Sequence, residues 1–207
     1  MSQRPKALVF DLGGVLIEID FVPALTHWAK FSRLSATEIM DAFTMDEMYC
    51  SHERGEISFT EYAEHLKQTF QLDCSYDQIL TGWNSIFKDE YPAVIQAIGR
   101  ISDDIPVAIL SNSNQAHQDF WQKRYAHFLS RFNPIFVSSE IQCRKPEPAC
   151  FDYVARKLNC AFSEMIFFDD TLENIEGARN MGIESIHVTR PERVVDTLSA
   201  QGLLTKS

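Results

Sequence analysis

The chain has 207 residues, of which 45% are hydrophobic and 23% charged, a composition typical of a soluble globular protein with one large domain or a core domain carrying a smaller one. Its formal net charge of −10 argues against a nucleic-acid partner and against an anionic membrane surface, because both favour a basic protein. A small anionic substrate is still compatible with this charge, because a few local hydrogen-bond donors can override the field of the whole molecule.

The cysteines and the N-terminal residues indicate the compartment. The five cysteines are an odd number without the C-x-x-C spacing of a metal site, which is typical of reduced thiols. Met1–Pro5 leads directly into the first predicted strand without a signal-peptide pattern, and no apolar run is long enough to span a bilayer. We therefore expect a cytoplasmic protein.

The first predicted strand is the apolar run Ala7–Phe10, which is followed at once by Asp11 and by the pair Gly13-Gly14. A continuous apolar run indicates a strand that is buried on both faces, as in a parallel sheet. Ligands of such sheets bind beyond the carboxyl ends of the strands, and glycines let the backbone approach a ligand closely. Asp11 could act there as a nucleophile or a cation ligand, but an Asp in a strand-ending turn has the same pattern.

A helical block follows, because the apolar residues between Phe21 and Gln96 recur at helical spacing and no strand is predicted there. Ser35 and Glu38 have the spacing of a capping box, and Gly55 indicates a break before a helix that Ser58 or Thr60 can cap. No internal repeat or low-complexity segment is visible in the chain.

From Pro106 onward, strands and helices alternate. The predicted strands are Val107–Leu110, Ile135–Val137, Met165–Phe168 and Ser185–Val188, and the predicted helices cover about Gln115–Leu129, Pro148–Leu158, a segment starting at Thr171 and a last segment after Pro191. Strands separated by helices of this length predict a parallel sheet with helices on both faces. The predicted fold class is therefore α/β, with a Rossmann-like parallel sheet and an inserted all-helical segment.

Several predicted strands end in polar residues: Asp11, Ser111 with Asn112, and the pair Asp169-Asp170, while Lys145 lies in a proline-flanked loop. Each of these has a local structural explanation as a turn, a helix cap or a solvated loop residue. Together at one edge, however, clustered carboxylates favour a cation, and hard oxygen ligands suit Mg2+ with a phosphate. Ser111, Asn112 and Lys145 would then hold phosphoryl oxygens, with Asp11 facing the phosphorus as nucleophile.

In order and spacing, these segments resemble the four motifs of the haloacid-dehalogenase (HAD) superfamily, and the helical block lies where such enzymes carry a C1-type cap. The resemblance implies a HAD-like core of residues 1–17 plus 100–207 and a cap of residues 18–99. Within that superfamily the chain resembles the bacterial α-D-glucose-1-phosphate phosphatase group, through the segments Phe10–Gly13, His52–Ser58, Leu110–Asn112, Arg144–Glu147 and Phe167–Asp170.

The resemblance implies a Mg2+-dependent phosphatase that acts on a small phosphorylated metabolite through an aspartyl-phosphate. It implies Asp11, Ser111 and Lys145 as catalytic residues, and Mg2+ held by the carboxylates of Asp11 and Asp170 and the carbonyl of Gly13. Asp169 and Asn174 would act on that metal site indirectly, through its ligands or through water. The implied partner is a small phosphoester; we expect no nucleic acid and no membrane, and the oligomeric state, a monomer or a weak dimer, stays open.

One position departs from the usual pattern, because most phosphatases of this superfamily carry a general acid/base Asp where this chain has Gly13. A general acid is worth about 10²–10⁴-fold in rate, so its loss slows a catalyst without abolishing catalysis. A substrate whose leaving group needs little protonation, such as α-D-glucose 1-phosphate, fits this site. Phosphomutase activity is disfavoured. A metal-independent 2-haloacid dehalogenase and a non-catalytic phospho-ligand binder stay open as alternatives.

The cap segment His52-Glu53-Arg54 precedes Gly55 at a predicted turn that could reach over the site. We expect Arg54 to bind substrate and His52 or Glu53 to help activate water. An ordinary helix C-terminus ended by Gly is the alternative.

Overall fold

The computed structural model describes residues 4–205. Its strands are β1 (Ala7–Phe10), β2 (Ile17–Ile19), β3 (Phe87–Glu90), β4 (Val107–Ser111), β5 (Ile135–Val137), β6 (Met165–Asp169) and β7 (Glu184–His187). Its helices are α1 (Val22–Ala29), α2 (Ala36–Ala42), α3 (Glu47–Glu53), α4 (Phe59–Phe70), α5 (Tyr76–Asn84), α6 (Pro92–Ile98), α7 (Gln115–Arg124), α8 (Ala126–Leu129), α9 (Ser138–Ile141), α10 (Pro148–Leu158), α11 (Leu172–Asn180) and α12 (Glu192–Ala200).

The central sheet has the order β5-β4-β1-β6-β7, and all of its pairings are parallel. The chain leaves β1 for β4 and β5 on one side and then crosses to β6 and β7 on the other. The order therefore reverses between β1 and β6, and such a switch point opens a crevice beyond the carboxyl ends of the strands.

Both faces of the sheet are covered. Leu8 and Phe10 of β1 belong to one hydrophobic cluster, and Ala7 and Val9 belong to a second cluster on the opposite face. A strand buried on both sides has to be apolar at every position, which explains its uninterrupted apolar sequence. The predicted fold class, a parallel α/β sheet with inserted helices, is confirmed.

The inserted helices α1 to α5 pack through aromatic side chains. The Trp28 and Trp83 rings, both fully buried, stack with their centroids 6.2 Å apart, and the Trp28 indole N–H donates to the carbonyl of Ile79. At Gly82 a Cβ would lie 2.3 Å from Trp28 Nε1, so glycine permits the close approach of α1 and α5. The same hydrophobic cluster continues from these rings to the sheet. The division into a core of residues 1–17 plus 100–207 and a cap of residues 18–99 stays a prediction.

The structure differs from the predicted elements in the pair β2 and β3, neither of which was predicted, at Tyr125 and after β5. The segment predicted to lack strands contains β3, which pairs antiparallel with β2, so that Ile19 lies opposite Phe87. The sequence of β3, Phe-Lys-Asp-Glu, has little apolar signal, and its pairing partner is about seventy residues away in the chain. The helix predicted from Gln115 to Leu129 is divided at Tyr125, whose hydroxyl donates to the carbonyl of Lys88.

The third difference is α9, a short helix directly after β5 that no sequence pattern indicated. Its first residue, Ser138, is fully buried. None of the helices in residues 4–205 combines the length and the apolar character needed to cross a membrane.

Candidate active site

Three aspartates meet at the switch point. Asp11 directly follows β1, Asp169 ends β6 and Asp170 follows it, and one carboxylate oxygen from each lies within 4.8 Å of the others. β1 and β6 are paired so that Phe10 lies opposite Phe168, which sets the two strand ends side by side. The predicted convergence of these carboxylates at one sheet edge is what the structure shows.

Lys145 joins two of the three carboxylates. Its Nζ lies 2.9 Å from Asp11 Oδ1 and 2.7 Å from Asp169 Oδ2, and its side chain is only 1% exposed. Burial by itself would lower the pKa of Lys145, but the charges of Asp11 and Asp169 outweigh it and raise the pKa above its usual value. Lys145 is therefore a fixed cation between the ends of β1 and β6.

Asp169 and Asp170 have different surroundings. Asp169 is fully buried, and besides Lys145 its oxygens accept from the Asn174 amide at 3.0 and 3.2 Å and from the Thr171 N–H at 2.8 Å. Asp170 instead lines an open cleft. Asp169 thus orients Lys145 and the start of α11, and Asp170 is the carboxylate that faces the cleft beside Asp11.

Asp11 accepts the Leu12 N–H at 2.7 Å through Oδ1, the same oxygen that contacts Lys145. Burial raises the pKa of Asp11 to about 8, Lys145 opposes this shift, and Asp169 and Asp170 add to it. A positive charge next to Asp11 would therefore favour its ionised form.

The donor set fits a divalent cation of the Mg2+ type. The available ligands at the cleft are carboxylate and carbonyl oxygens, which Mg2+ prefers. Gly14, at φ +70°, brings the backbone so close to Asp170 that a Cβ would lie 2.1 Å from its Oδ2. Asp11, Asp170 and Gly13 all line the same cleft.

The cleft has a volume of about 630 Å³. Its walls come from both sides of the carboxylate cluster and consist of Ile19, Phe21, Met45 and Tyr91 on the side of the inserted segment and Thr171, His187, Val188, Thr189, Arg190 and Pro191 around the end of β7. Sequence reasoning missed these wall residues. His187 ends β7 at the same sheet edge as the aspartates, and that strand-end position was the available signal.

Ser111 ends β4, next to β1, and is 4% exposed. Asn112 follows it, and its side-chain amide is engaged with Lys145: Asn112 Nδ2 donates to the Lys145 carbonyl at 2.9 Å, and the Lys145 N–H donates to Asn112 Oδ1 at 2.8 Å. Asn112 thus holds the backbone of Lys145 with its amide oxygen and with one of the two N–H groups of Nδ2. A contact between Asn112 and a phosphoryl oxygen stays a prediction.

None of the residues His52, Glu53 and Arg54 at the end of α3 is among those that line the cleft. Arg54 Nε donates to Glu147 Oε1 at 2.8 Å and Nη1 to Glu47 Oε1 at 3.1 Å, so its guanidinium is engaged with protein carboxylates. His52 is 3% exposed and stacks on Tyr62 with a centroid distance of 4.7 Å. Burial lowers the pKa of His52 to about 4. The expectation that His52 activates water is not supported by this packing.

Glu53 is also buried, at 5% exposure, and its Oε2 accepts from Arg144 Nε at 2.8 Å. Burial raises the pKa of Glu53, against the opposing effect of Arg144. A role of Glu53 in activating water at the cleft is therefore not supported either. Sequence reasoning missed Arg144 and Glu147 as partners of α3, although both flank Lys145 with opposite charges.

Comparison with known proteins identifies the family. Residues 5–182 match the model of the haloacid dehalogenase-like hydrolases, and the chain belongs to that family. A D-ribitol-5-phosphate phosphatase of Bacteroides thetaiotaomicron is 24% identical over 92% of this chain and 94% of its own. A sesquiterpene phosphatase of Aspergillus oryzae is 27% identical over 89% of this chain and 90% of its own.

Solved structures agree with this assignment. A HAD family enzyme of B. thetaiotaomicron, crystallised with magnesium and inorganic phosphate, is 27% identical and superimposes with a TM-score of 0.77 over 88% of this chain and 93% of its own. An L-2-haloacid dehalogenase of Xanthobacter autotrophicus, 20% identical, has a TM-score of 0.66 over 95% of this chain and 83% of its own, a similarity of fold. The predicted enzyme class is confirmed: the chain is a phosphatase of the HAD type.

Proposed function

We propose that this protein is a Mg2+-dependent phosphatase that hydrolyses a small phosphorylated metabolite, such as a sugar or polyol phosphate, through an aspartyl-phosphate on Asp11. The observation that carries the proposal is the position of Lys145, which links Asp11 to the buried Asp169 while Asp170 faces the cleft. The magnesium and phosphate in the related B. thetaiotaomicron enzyme, and the polyol phosphate substrate in the name of a relative, support it.

Asp11, Lys145 and Ser111 have different roles in the proposed phosphoryl transfer. Asp11 is the nucleophile: one of its carboxylate oxygens forms a bond to phosphorus while the bond between phosphorus and the leaving oxygen breaks. Lys145 neutralises charge between Asp11 and the phosphoryl group, and Ser111 donates to a phosphoryl oxygen. A water oxygen then bonds to the phosphorus while the bond between phosphorus and the Asp11 oxygen breaks, which releases inorganic phosphate and regenerates the Asp11 carboxylate.

Asp11, Asp170 and the carbonyl of Gly13 would hold the Mg2+. When bound, the ion supplies positive charge that favours ionised Asp11 and offsets the charge of the phosphoryl group. Asp169 would act on this site only through Lys145, Asn174 and the backbone of Thr171, which occupy its oxygens.

The leaving group has to depart without a side-chain acid at position 13. A Cβ on Gly13 would lie 2.9 Å from Ile19 Cγ1, so the space where an Asp side chain would begin is filled by β2. We therefore expect substrates whose leaving group is stabilised in another way. In α-D-glucose 1-phosphate, the ring oxygen next to the anomeric carbon provides that stabilisation.

The test is phosphate release from α-D-glucose 1-phosphate, glucose 6-phosphate and D-ribitol 5-phosphate, with Mg2+ and with a chelator. We expect Mg2+-dependent release that falls at least about 10³-fold in Asp11→Asn, because the amide is not a nucleophile. Asp152→Asn, on the exposed side of α10, is the matched control and should keep full activity.

Comparing the substrates tests the phosphatase activity and the leaving-group argument separately. Preference for the 1-phosphate supports the leaving-group argument, and equal or better turnover of the other two esters contradicts it while leaving the phosphatase intact. Halide release from 2-chloropropionate without metal would overturn the proposal in favour of a dehalogenase. Phosphate binding without turnover of any ester would instead indicate a phospho-ligand binder.

A further inference from the structure

Two ion pairs connect the end of α3 to the residues on either side of Lys145. Glu53 Oε2 lies 2.8 Å from Arg144 Nε, and Arg54 Nε lies 2.8 Å from Glu147 Oε1. Consecutive residues of the inserted segment, one acidic and one basic, thus contact a basic and an acidic residue that bracket the site lysine. The sequence separation of each pair exceeds ninety residues, so only the folded chain forms them.

Both ion pairs are partly shielded from solvent, so each pair can hold its two side chains in a fixed arrangement. The side chains of Glu53 and Arg144 are 7% and 18% exposed, and those of Arg54 and Glu147 are 22% and 33% exposed. Pairs in full solvent contribute little, whereas breaking a buried pair leaves a charge without its partner. By comparison, the Arg156–Asp152 pair on α10 is 70% and 49% exposed.

Arg144 and Glu147 are joined by hydrogen bonds on either side of Lys145. The Glu147 N–H donates to the Arg144 carbonyl at 2.9 Å, and the Arg144 N–H donates to Glu147 Oε2 at 3.2 Å, which closes a tight turn around Lys145. From the opposite side, Asn112 holds both backbone polar groups of Lys145. The lysine backbone is therefore fixed between the end of β4 and the turn that α3 contacts.

The end of α3 is itself anchored to the sheet side of the molecule. Ser138 Oγ lies 2.6 Å from the Glu53 carbonyl and also accepts the Ser113 N–H at 2.9 Å. Gly55, at φ +72°, passes so close to α9 that a Cβ would lie 2.5 Å from the Ser139 carbonyl oxygen. This anchor makes the end of α3 a fixed support.

We propose that Glu53 and Arg54 are positioning residues that hold Lys145 in place through Arg144 and Glu147, so that the inserted segment supplies part of the geometry for phosphoryl transfer. The proposal rests on the proposed function of Asp11 and Lys145. It gives Arg54 a different role from the substrate contact expected from the sequence, in line with its engagement by Glu147 and Glu47.

The first test compares Arg54→Ala, Glu147→Ala and the double variant, with Arg54→Lys as the conservative variant and Arg156→Ala as the matched control. We expect kcat to fall about 10-fold in each single variant with KM changed less than about 2-fold, because a displaced lysine weakens the transition state more than substrate binding. The losses in the double variant should be less than additive, since the two single variants share the loss of the Arg54–Glu147 contact. Arg54→Lys should recover part of kcat, and Arg156→Ala should match the wild type.

Other outcomes overturn the proposal. A rise in KM with unchanged kcat in Arg54→Ala would make Arg54 a substrate-binding residue. A lower thermal midpoint with wild-type kcat would make the pair structural only, and additive losses in the double variant would mean that Arg54 and Glu147 act separately.

A second readout does not depend on turnover. In protein labelled with 15N-lysine, the ammonium resonance of Lys145, assigned with Lys145→Arg, reports on the environment between Asp11 and Asp169. We expect it to shift in Arg54→Ala and Glu53→Gln and to stay in place in Arg156→Ala. An unchanged resonance overturns the positioning role even if the phosphatase is active. A shifted resonance in a protein that hydrolyses none of the esters supports the positioning role while the proposed function fails.

Discussion

At the scale of single residues, the surroundings of each aspartate decide what it can do. Asp169 is fully buried, and its oxygens accept from Lys145, Asn174 and Thr171. Asp170, one residue later, faces the cleft, and burial followed by the charge of Asp169 raises its pKa. Adjacent residues of one type thus have different surroundings because β6 ends between them.

The contact between Gly14 and Asp170 gives a prediction about the metal site. Gly14→Ala places a methyl group 2.1 Å from the current position of Asp170 Oδ2, so this carboxylate has to move. We expect the Mg2+ concentration for half-maximal phosphatase activity to rise at least about tenfold, since one proposed ligand is displaced. The measurement is a Mg2+ titration of phosphate release, together with the Mg2+-dependent rise of the thermal midpoint.

Gly182→Ala is the matched control, because Gly182 also has a positive φ, +83°, but nothing lies within 4 Å of its added Cβ. It carries the same backbone strain of about 1–2 kcal/mol without a collision. Its Mg2+ requirement should equal that of the wild type. An unchanged Mg2+ requirement in Gly14→Ala would contradict the assignment of Asp170 as a metal ligand.

At the scale of elements, α3 has two sides with different surroundings. One side carries Glu53 toward the Lys145 turn, and the other carries His52 into the aromatic rings of α4 and α5. His52 Nδ1 is buried and has no hydrogen-bond partner within the described residues. The helix thus places a neutral imidazole among rings, where a charge would be costly.

This packing predicts how stability depends on pH. Burial lowers the pKa of His52 to about 4 from the 6.5 of an unfolded chain, so between pH 6.5 and about pH 4 the unfolded state binds the proton and the folded state does not. Stability from this group is therefore lost as the pH falls below 6.5. We expect His52→Phe to gain about 2 kcal/mol of unfolding free energy relative to the wild type between pH 7.5 and pH 5.

The measurement is urea unfolding of both proteins at the two pH values in metal-free buffer. Tyr62→Phe, which alters the ring stacked on His52 but keeps the imidazole, is the control and should follow the pH dependence of the wild type. Parallel pH curves for the wild type and His52→Phe would mean that His52 titrates normally in the folded protein.

At the scale of the whole molecule, one hydrophobic cluster includes Leu8 of β1, Trp28 of α1, Trp83 of α5 and Leu203 near the C-terminal end of the described residues. Further ties between the inserted segment and the sheet are the Glu53 and Arg54 pairs. Shared buried surface makes separate unfolding of the parts unfavourable.

We therefore expect a single cooperative unfolding transition. In urea, far-ultraviolet circular dichroism and tryptophan fluorescence should give the same midpoint, since Trp28 and Trp83 report on the inserted helices and Trp121 on α7. The variant Trp121→Phe restricts the fluorescence signal to the inserted helices, and its two midpoints should also coincide. An earlier fluorescence transition in this variant would show that residues 18–99 unfold as a separate domain.

The amino-acid sequence by itself determined the strands that carry the site and the chemistry at their ends. The strands β1, β4 and β6 are buried on both faces, so their apolar runs are continuous and easily recognised, and the polar residue that ends each run is equally visible. In a parallel sheet the carboxyl ends of neighbouring strands lie at the same edge. The convergence of Asp11, Asp169 and Asp170 therefore followed from the sequence, whereas Lys145, which lies in a loop, was expected there from the resemblance to the family's motifs.

Only the tertiary structure decided which partner each polar side chain has. Asn112 bonds the backbone of Lys145, Arg54 pairs with Glu147, and His52 packs against Tyr62 and is not in the cleft. The sequence also did not predict the pairing of β2 with β3 or the residues that line the cleft. The physical reason is that hydrogen bonds and ion pairs between residues far apart in the chain depend on packing and burial, which no local pattern of residues encodes.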